Sequence, residues 1–463
     1  MKPLLTVLML LLPAASAFPA EPKKPNVILL LADDMRADSI AALGNPAAKT
    51  PNLDALVRRG FTFSNAYCFG GNSAAVCTPS RNMLLTGNAY FRRKEYVPPG
   101  RKSPKGLLAP GDGPNFPLSL KDAGYLTYHH GKRGNTAPLV QARFEINKYL
   151  KNDDAERKSG EPGREIVNEA IAFLKANRDP RPLFMYLAFA NPHDPRVAAP
   201  KYRDLFEEDK IRVPKNFLPI HPFDNGDLTV RDEQLLPWPR TEAGVRRTLH
   251  EYHATVAALD HHIGRLIQTL KDRGELDNTI VIFSADQGIA VGSHGLLGKQ
   301  NLYDHSMKSP LVFAGPGIPH GSSAALVYLF DIFPTVCDLV GAAMPRGIDG
   351  RSFRGVIEGK LKVVRKELML AYLGKQRAIR DERWKLIRYP EASHTQLFDL
   401  QADPDETKNL AGEAAHRDRI AEMSERLAKL QGRYGDDKGL DATEPRRAEP
   451  ITPEELRERV KKK

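Results

Sequence analysis

Three runs in this chain are apolar with almost no interruption: NVILLL from Asn26, PLFMYLAFA from Pro182 and NTIVIFS from Asn278. A strand with one wet face alternates apolar and polar residues, so a strand apolar throughout must be covered on both faces. Such strands belong to a parallel sheet enclosed by helices, and helical patterns do separate the runs. TPNLDALVRRG reads as a helix with Thr50 as cap, Pro51 in the first turn and Gly60 as stop. REIVNEAIAFLK is a second helix. A long third one runs from about Val245 to Leu270, its apolar residues spaced alternately by four and three. GYLTYHH, from Gly124, is a fourth strand. The predicted fold class is α/β, a mostly parallel sheet sandwiched by helices.

The ends of the chain read differently. Lys2, the apolar LLTVLMLLL and the small residues Ala15-Ser16-Ala17 form a signal-peptide pattern over residues 1–20, too short to cross a bilayer. The expectation is export to the periplasm or beyond the cell, with no membrane anchor. The catalytic α/β domain is expected over 23–358. From about Lys360, short alternating strands and a closing helix predict a small antiparallel α+β subdomain over 359–432. Residues 433–463 are charged, lack apolar periodicity and read as a flexible tail. Two Pro/Gly-rich stretches, 98–117 and 191–240, are too long for plain connections and point to function. With 41% apolar and 27% charged residues, whole-chain disorder is excluded. The net charge of +11 fits an acidic substrate, whereas no basic run is interleaved with aromatics as nucleic-acid binding requires.

In an open parallel sheet, ligands bind beyond the carboxyl ends of the strands. Here the first strand ends in Ala32-Asp33-Asp34, the second in Gly131-Lys132, the third in Asn191-Pro192-His193 and the fourth in Ala285-Asp286-Gln287. Carboxylates converging there would repel one another without a cation. The oxygen donors of Asp33, Asp34, Asp286 and the Gln287 amide suit Ca²⁺, with Mg²⁺ second. Each acid taken singly is also the usual cap of a following helix; the doublet together with Asp286 is what favours a metal. The segment AAVCTPSRNMLLTG places Cys77 at a helix start, with Thr78 as cap, Pro79 behind it and Arg81 on the first turn. A helix N-terminus with an arginine favours an oxyanion. The other cysteines, Cys68 and Cys337, give no pairing from sequence alone.

CTPSR followed by LLTG resembles the C-x-P-S-R element of the formylglycine-dependent sulfatases. LADD, GK after a strand, NPHDP, SADQG, HGLLGKQNLYDHSMKSPLVFAGPG and RWKLIRY…QLFDLQADPDETKNL resemble that family's other blocks, in its order, over roughly residues 25–430. The resemblance implies the alkaline-phosphatase-like superfamily and conversion of Cys77 to Cα-formylglycine by a formylglycine-generating or sulfatase-maturating enzyme. It implies Asp33, Asp34, Asp286, Gln287 and residue 77 as Ca²⁺ ligands. It also implies Arg81 on the aldehyde hydrate, Lys132 and Lys299 on the sulfate, and His193 as acid for the leaving alcohol. His294, in the same block as Lys299, is the candidate substrate contact.

Two positions depart from the family pattern. Gly131-Lys132-Arg133-Gly134 lacks the histidine of G-K-x-H, leaving His129, His130 or Asn135 as replacements, and Gln287 stands where Asn or His is commoner. Trp238 and His221 are candidates to line a sugar subsite. The expected function is sulfate-ester hydrolysis on a small molecule or, preferably, a sulfated polysaccharide or oligosaccharide. The rivals are a phosphomonoesterase or phosphodiesterase of the same superfamily and an inactive polyanion-binding relative.

Overall fold

A computed structural model of the protein describes residues 23–92, 113–446 and 448–462. The expected signal segment and most of the 98–117 stretch lie outside the described residues. In chain order the strands are β1 (Asn26–Asp33), β2 (Phe61–Phe63), β3 (Ala66–Tyr67), β4 (Gly70–Gly71), β5 (Leu126–Gly131), β6 (Ile146–Tyr149), β7 (Leu183–Pro192) and β8 (Thr279–Ala285). They continue with β9 (Leu311–Ala314), β10 (Gly321–Ser323), β11 (Val327–Tyr328), β12 (Glu367–Tyr372), β13 (Gln376–Asp381), β14 (Trp384–Tyr389) and β15 (His394–Asp399).

The large sheet has the order β10-β2-β9-β8-β1-β7-β5-β6. Its centre, β8-β1-β7-β5-β6, is parallel throughout, while β9 runs antiparallel to β8 and β2. β1 shows why the apolar runs are unbroken. Val27, Leu29 and Leu31 enter one hydrophobic core, while Ile28, Leu30 and Ala32 enter the other, on the opposite face. The second core is closed by the helices Pro51–Arg59, Arg164–Ala176 and Glu242–Asp272. The first is closed by the helices Cys77–Thr86, Phe116–Asp122 and Ile332–Leu339 and by the small sheet.

That small sheet, β15-β14-β13-β12-β4, is antiparallel except where β12 pairs in parallel with β4. Gly70 and Gly71, only a few residues before Cys77, thus stitch the C-terminal sheet to the cysteine loop. A side chain at Gly70 is excluded: its φ is +112°, and a Cβ would lie 1.9 Å from the Ala371 carbonyl oxygen.

Three local expectations need correction. Thr50 does not cap the Pro51–Arg59 helix; Asp260, from the long helix, accepts the backbone N–H groups of Asn52 and Leu53 at 3.2 and 2.7 Å. Thr78 is not a cap either, because the helix already begins at Cys77 and has no side-chain cap. Residues 433–463 do not stand clear of the domain as a tail. Ile451 and Leu456 are buried in the first core, and Thr452 with Glu455 makes a capping box on the helix Pro453–Lys461. The sparse apolar residues of this segment escaped periodicity because only three of them, Tyr434, Ile451 and Leu456, are buried in the core. Cys68 and Cys337 are buried free thiols.

Candidate active site

The parallel centre of the sheet brings the four strand ends side by side. Asp33 ends β1 and Asp34 follows it in the left-handed region at φ 62°, a turn that aims both carboxylates toward the same space. One ligand atom each from Asp33, Asp34, Cys77 and Asp286 lies within 4.8 Å of the others, and all four residues are buried. Cys77 Sγ is 3.2 Å from Asp33 Oδ1 and 3.9 Å from Asp34 Oδ1. Gln287 reaches the same space, its Nε2 donating to Asp34 Oδ1 at 2.6 Å and to Cys77 Sγ at 3.0 Å, while its buried Oε1 has no partner.

Cations surround the acids. Lys132 Nζ is bonded to Asp33, and Lys299 Nζ donates to both oxygens of Asp34 at 2.9 and 2.7 Å. Arg81 Nε donates to Asp286 Oδ2 at 2.8 Å, its NH2 donates to the Phe189 carbonyl, and its NH1 is buried without an acceptor. His193 places Nε2 3.7 Å from Asp34 Oδ2, and its Nδ1 lies 2.6 Å from the Asp194 carbonyl. That carbonyl can only accept, so Nδ1 carries the proton and Nε2 faces the cluster.

The charges set the protonation states. Burial raises Asp33, but Lys132, Arg81, His193 and Lys299 outweigh it and hold this carboxyl well below its usual range. Burial and the neighbouring Asp33 charge push Asp286 upward, Arg81 opposing. Burial, then Asp33, raises the Cys77 thiol well above its ordinary value. A thiol held protonated is a poor nucleophile, so unmodified Cys77 is unsuited to attack. Burial and Lys299 lower His193. What the arrangement can do is bind a tetrahedral oxyanion amid three cations and place a neutral imidazole nitrogen beside it.

The model of the sulfatase family matches residues 25–342. The chain belongs to the sulfatase family. It is therefore a sulfuric ester hydrolase. A second family model, N-sulphoglucosamine sulphohydrolase C-terminal, matches residues 292–433. Among relatives, an N-acetylglucosamine-6-O-sulfatase of Bacteroides thetaiotaomicron is 26% identical over 90% of this chain and 88% of its own. A choline-sulfatase of Rhizobium meliloti is 29% identical over 84% of this chain and 82% of its own. An ulvan-active sulfatase of Formosa agariphila is 27% identical over 90% and 83%. A protein solved in complex with its substrate D-glucosamine-2-N,6-O-disulfate shares the fold at TM-score 0.74 and 23% identity, over 90% of this chain and 99% of its own. The phosphonate monoester hydrolase of Agrobacterium radiobacter does so at TM-score 0.71 and 22% identity, over 89% and 96%. No helix among the sulfatase's described residues is long and apolar enough to cross a membrane.

Of the residues expected at the site, only His294 is placed apart. Its Nε2 bonds to the Glu406 carbonyl and its Nδ1 to His305, and the ring stacks on Tyr303, which leaves no ring nitrogen for a substrate. The replacements for the missing G-K-x-H histidine fare no better. Both His129 nitrogens are committed, to Asn147 and Gln141, His130 is a buried strand residue, and Asn135 is exposed at a positive φ. His221 and Trp238 are likewise buried, His221 against Phe223 and Tyr303, and Trp238 under Arg240.

Three contributors were not legible in the sequence. Arg157 extends NH2 to 3.9 Å from Asp33, Asp232 lies 3.9 Å from the Lys299 ammonium, and Glu233 accepts the Leu297 and Gly298 N–H groups just before Lys299. None stands in a motif. The only signal was the length of the 191–240 stretch, which supplies two of them.

Proposed function

We propose that this sulfatase hydrolyses sulfate esters on sulfated saccharides, with residue 77, matured to Cα-formylglycine, beside Ca²⁺ in a catalytic unit spanning 23–358. One observation carries the reading: three carboxylates and Cys77 converge within 4.8 Å at the carboxyl ends of parallel strands, ringed by Lys132, Lys299 and Arg81. The glycan preference is supported by the N-acetylglucosamine-6-O-sulfatase and ulvan-active relatives and by the +11 charge.

The donor set fits the metal. Asp33, Asp34, Asp286 and the Gln287 amide offer oxygen to a hard cation, and the partnerless Gln287 Oε1 meets its need by turning the amide toward one. Mg²⁺ is the second choice. When bound, the ion would supply Lewis-acid charge to a sulfate oxygen and to residue 77. The formylglycine hydrate would supply an oxygen nucleophile and, through its second hydroxyl, a route for releasing sulfate by C–O cleavage.

The remaining work falls to this chain's own groups. Lys132 and Lys299 draw the sulfuryl oxygens between them as negative charge grows. Arg81, braced on Asp286, keeps its NH1 free of any acceptor and would offer it to the hydrate at residue 77. His193, oriented by the Asp194 carbonyl, delivers a proton from Nε2 to the departing alcohol oxygen. Burial and Lys299 depress its basicity, and the charge of a bound sulfate ester restores it.

The test is to co-express the protein with a maturating enzyme, examine the peptide across residues 74–81 by mass spectrometry, and measure sulfate released from sulfated oligosaccharides. Formylglycine together with saccharide desulfation supports the reading. Unmodified Cys77 with full activity, or turnover of phosphonate monoesters in place of sulfates, would overturn it.

A further inference from the structure

A cavity of about 490 Å³, open to solvent, is walled by Asp194, the residue after His193, and by Asp154, Lys158, Arg196, Arg231 and Arg247, among others. Its acids are matched. Asp194 is paired with Arg231, Asp154 with Arg157 at 3.0 Å, and Glu251 lies 3.8 Å from Arg203. Two of its cations are not: among the described residues, neither Lys158 nor Arg196 has an ion pair.

Arg196 is held rather than loose. Its Nε donates to the Pro192 carbonyl at 2.9 Å, its guanidinium lies 5.3 Å from the Tyr252 ring centre, and its NH2 is buried without an acceptor. The Tyr252 hydroxyl in turn bonds to the Asp34 carbonyl at 3.3 Å, which ties this arginine to the metal-ligand turn. Arg196 as a whole is only partly buried and lines the cavity, so a guanidinium fixed in place and without an ion pair is available there to an anion. Leu235, 45% exposed on the same wall, offers an apolar surface to a sugar ring.

We propose that this cavity is a subsite for a second oxyanion, carboxylate or sulfate, carried by the saccharide whose ester is cleaved at the adjoining centre. Arg196 binds that group, Lys158 assists from the rim, and Arg231 stays committed to Asp194. The proposal rests on the saccharide-sulfatase reading above and gives it a substrate class: at least doubly anionic saccharides.

The experiment compares kcat/KM for three disaccharides, one bearing only the scissile sulfate, one with a second sulfate and one with a uronate carboxylate. It uses the wild type, Arg196→Met and Lys158→Ala, the last being an exposed position whose truncation leaves the core intact. The ratio of doubly to singly anionic substrate should fall about 10- to 100-fold in Arg196→Met and several-fold in Lys158→Ala. The arm with the larger wild-type ratio tells sulfate from carboxylate. Calorimetric binding of a uronate disaccharide and of a non-cleavable sulfonate analogue, neither carrying a sulfate ester, should weaken in parallel for whichever group is recognised. Loss of that binding in the variants, with no ester cleaved by any form, would sink the sulfatase reading and leave the subsite standing. Unchanged ratios and unchanged binding of both probes in both variants overturn the subsite.

Discussion

Lys132 and Lys299 divide the labour at the residue scale, one resting on Asp33 and the other on Asp34. On the proposed mechanism each is a preorganised donor to the sulfate, so Lys299→Ala should lower kcat by about 10²- to 10³-fold, read in initial-rate assays. Cys77→Ala should abolish sulfate release altogether while keeping the melting temperature near that of the wild type, since only a small buried side chain is truncated. Circular dichroism alongside the activity assay separates lost chemistry from lost fold. Chelation should act on both quantities. Removing the proposed Ca²⁺ would leave buried carboxylates to repel one another, so activity and melting temperature should fall together and recover when Ca²⁺ is restored.

Elements place those residues. The loop carrying Lys299 is hung from Glu233, whose carboxylate accepts Leu297 N–H and Gly298 N–H at 3.0 and 2.8 Å and is gripped by Arg240 at 2.9 Å. Glu233→Ala should therefore lower kcat roughly 10-fold more than it raises KM, because the lysine stays in the pocket but loses its fixed position. Gln retains one acceptor and should recover part of the loss. At β4, Gly70→Ala should loosen the junction between the two sheets. The added methyl meets the Ala371 carbonyl in a backbone conformation that alanine resists, so a lower urea midpoint is expected.

Over the whole molecule, buried histidines link stability to pH. Burial lowers His129 and His221 to about 3 and His253 to about 4. Above the unfolded value near 6.5 these rings are neutral in both states and cost nothing. As pH falls below 6.5, the unfolded chain takes up protons that the folded one refuses, and stability is lost down to the folded values, about 1.4 kcal/mol per pH unit for each ring. Thermal melts between pH 7 and 4 should show a steep decline, shallower in His221→Phe. Leu456→Ala probes the other end of the chain: it opens a hole in the first core and should cost about 2–5 kcal/mol in denaturant unfolding.

What the sequence determined alone was local and repetitive. Unbroken apolar runs required strands covered on both faces, and β1 shows the two cores that do so. Parallel strands put their carboxyl ends on one edge, so the acids, the lysine and the histidine that follow those strands had to gather there. Tertiary structure alone decided what depends on which surfaces meet. His294 was turned toward Glu406 and away from the site, Asp260 was made the cap of a helix some 200 residues earlier in the chain, and the charged C-terminal segment was folded onto the core. It also brought Arg157 to Asp33, Asp232 to Lys299 and Glu233 to the loop just before Lys299, from elements with no periodic signal of their own. Periodicity reports which face of an element is apolar. It carries no record of the partner that will cover that face, because that choice is made by the shape and charge of segments far away in the chain.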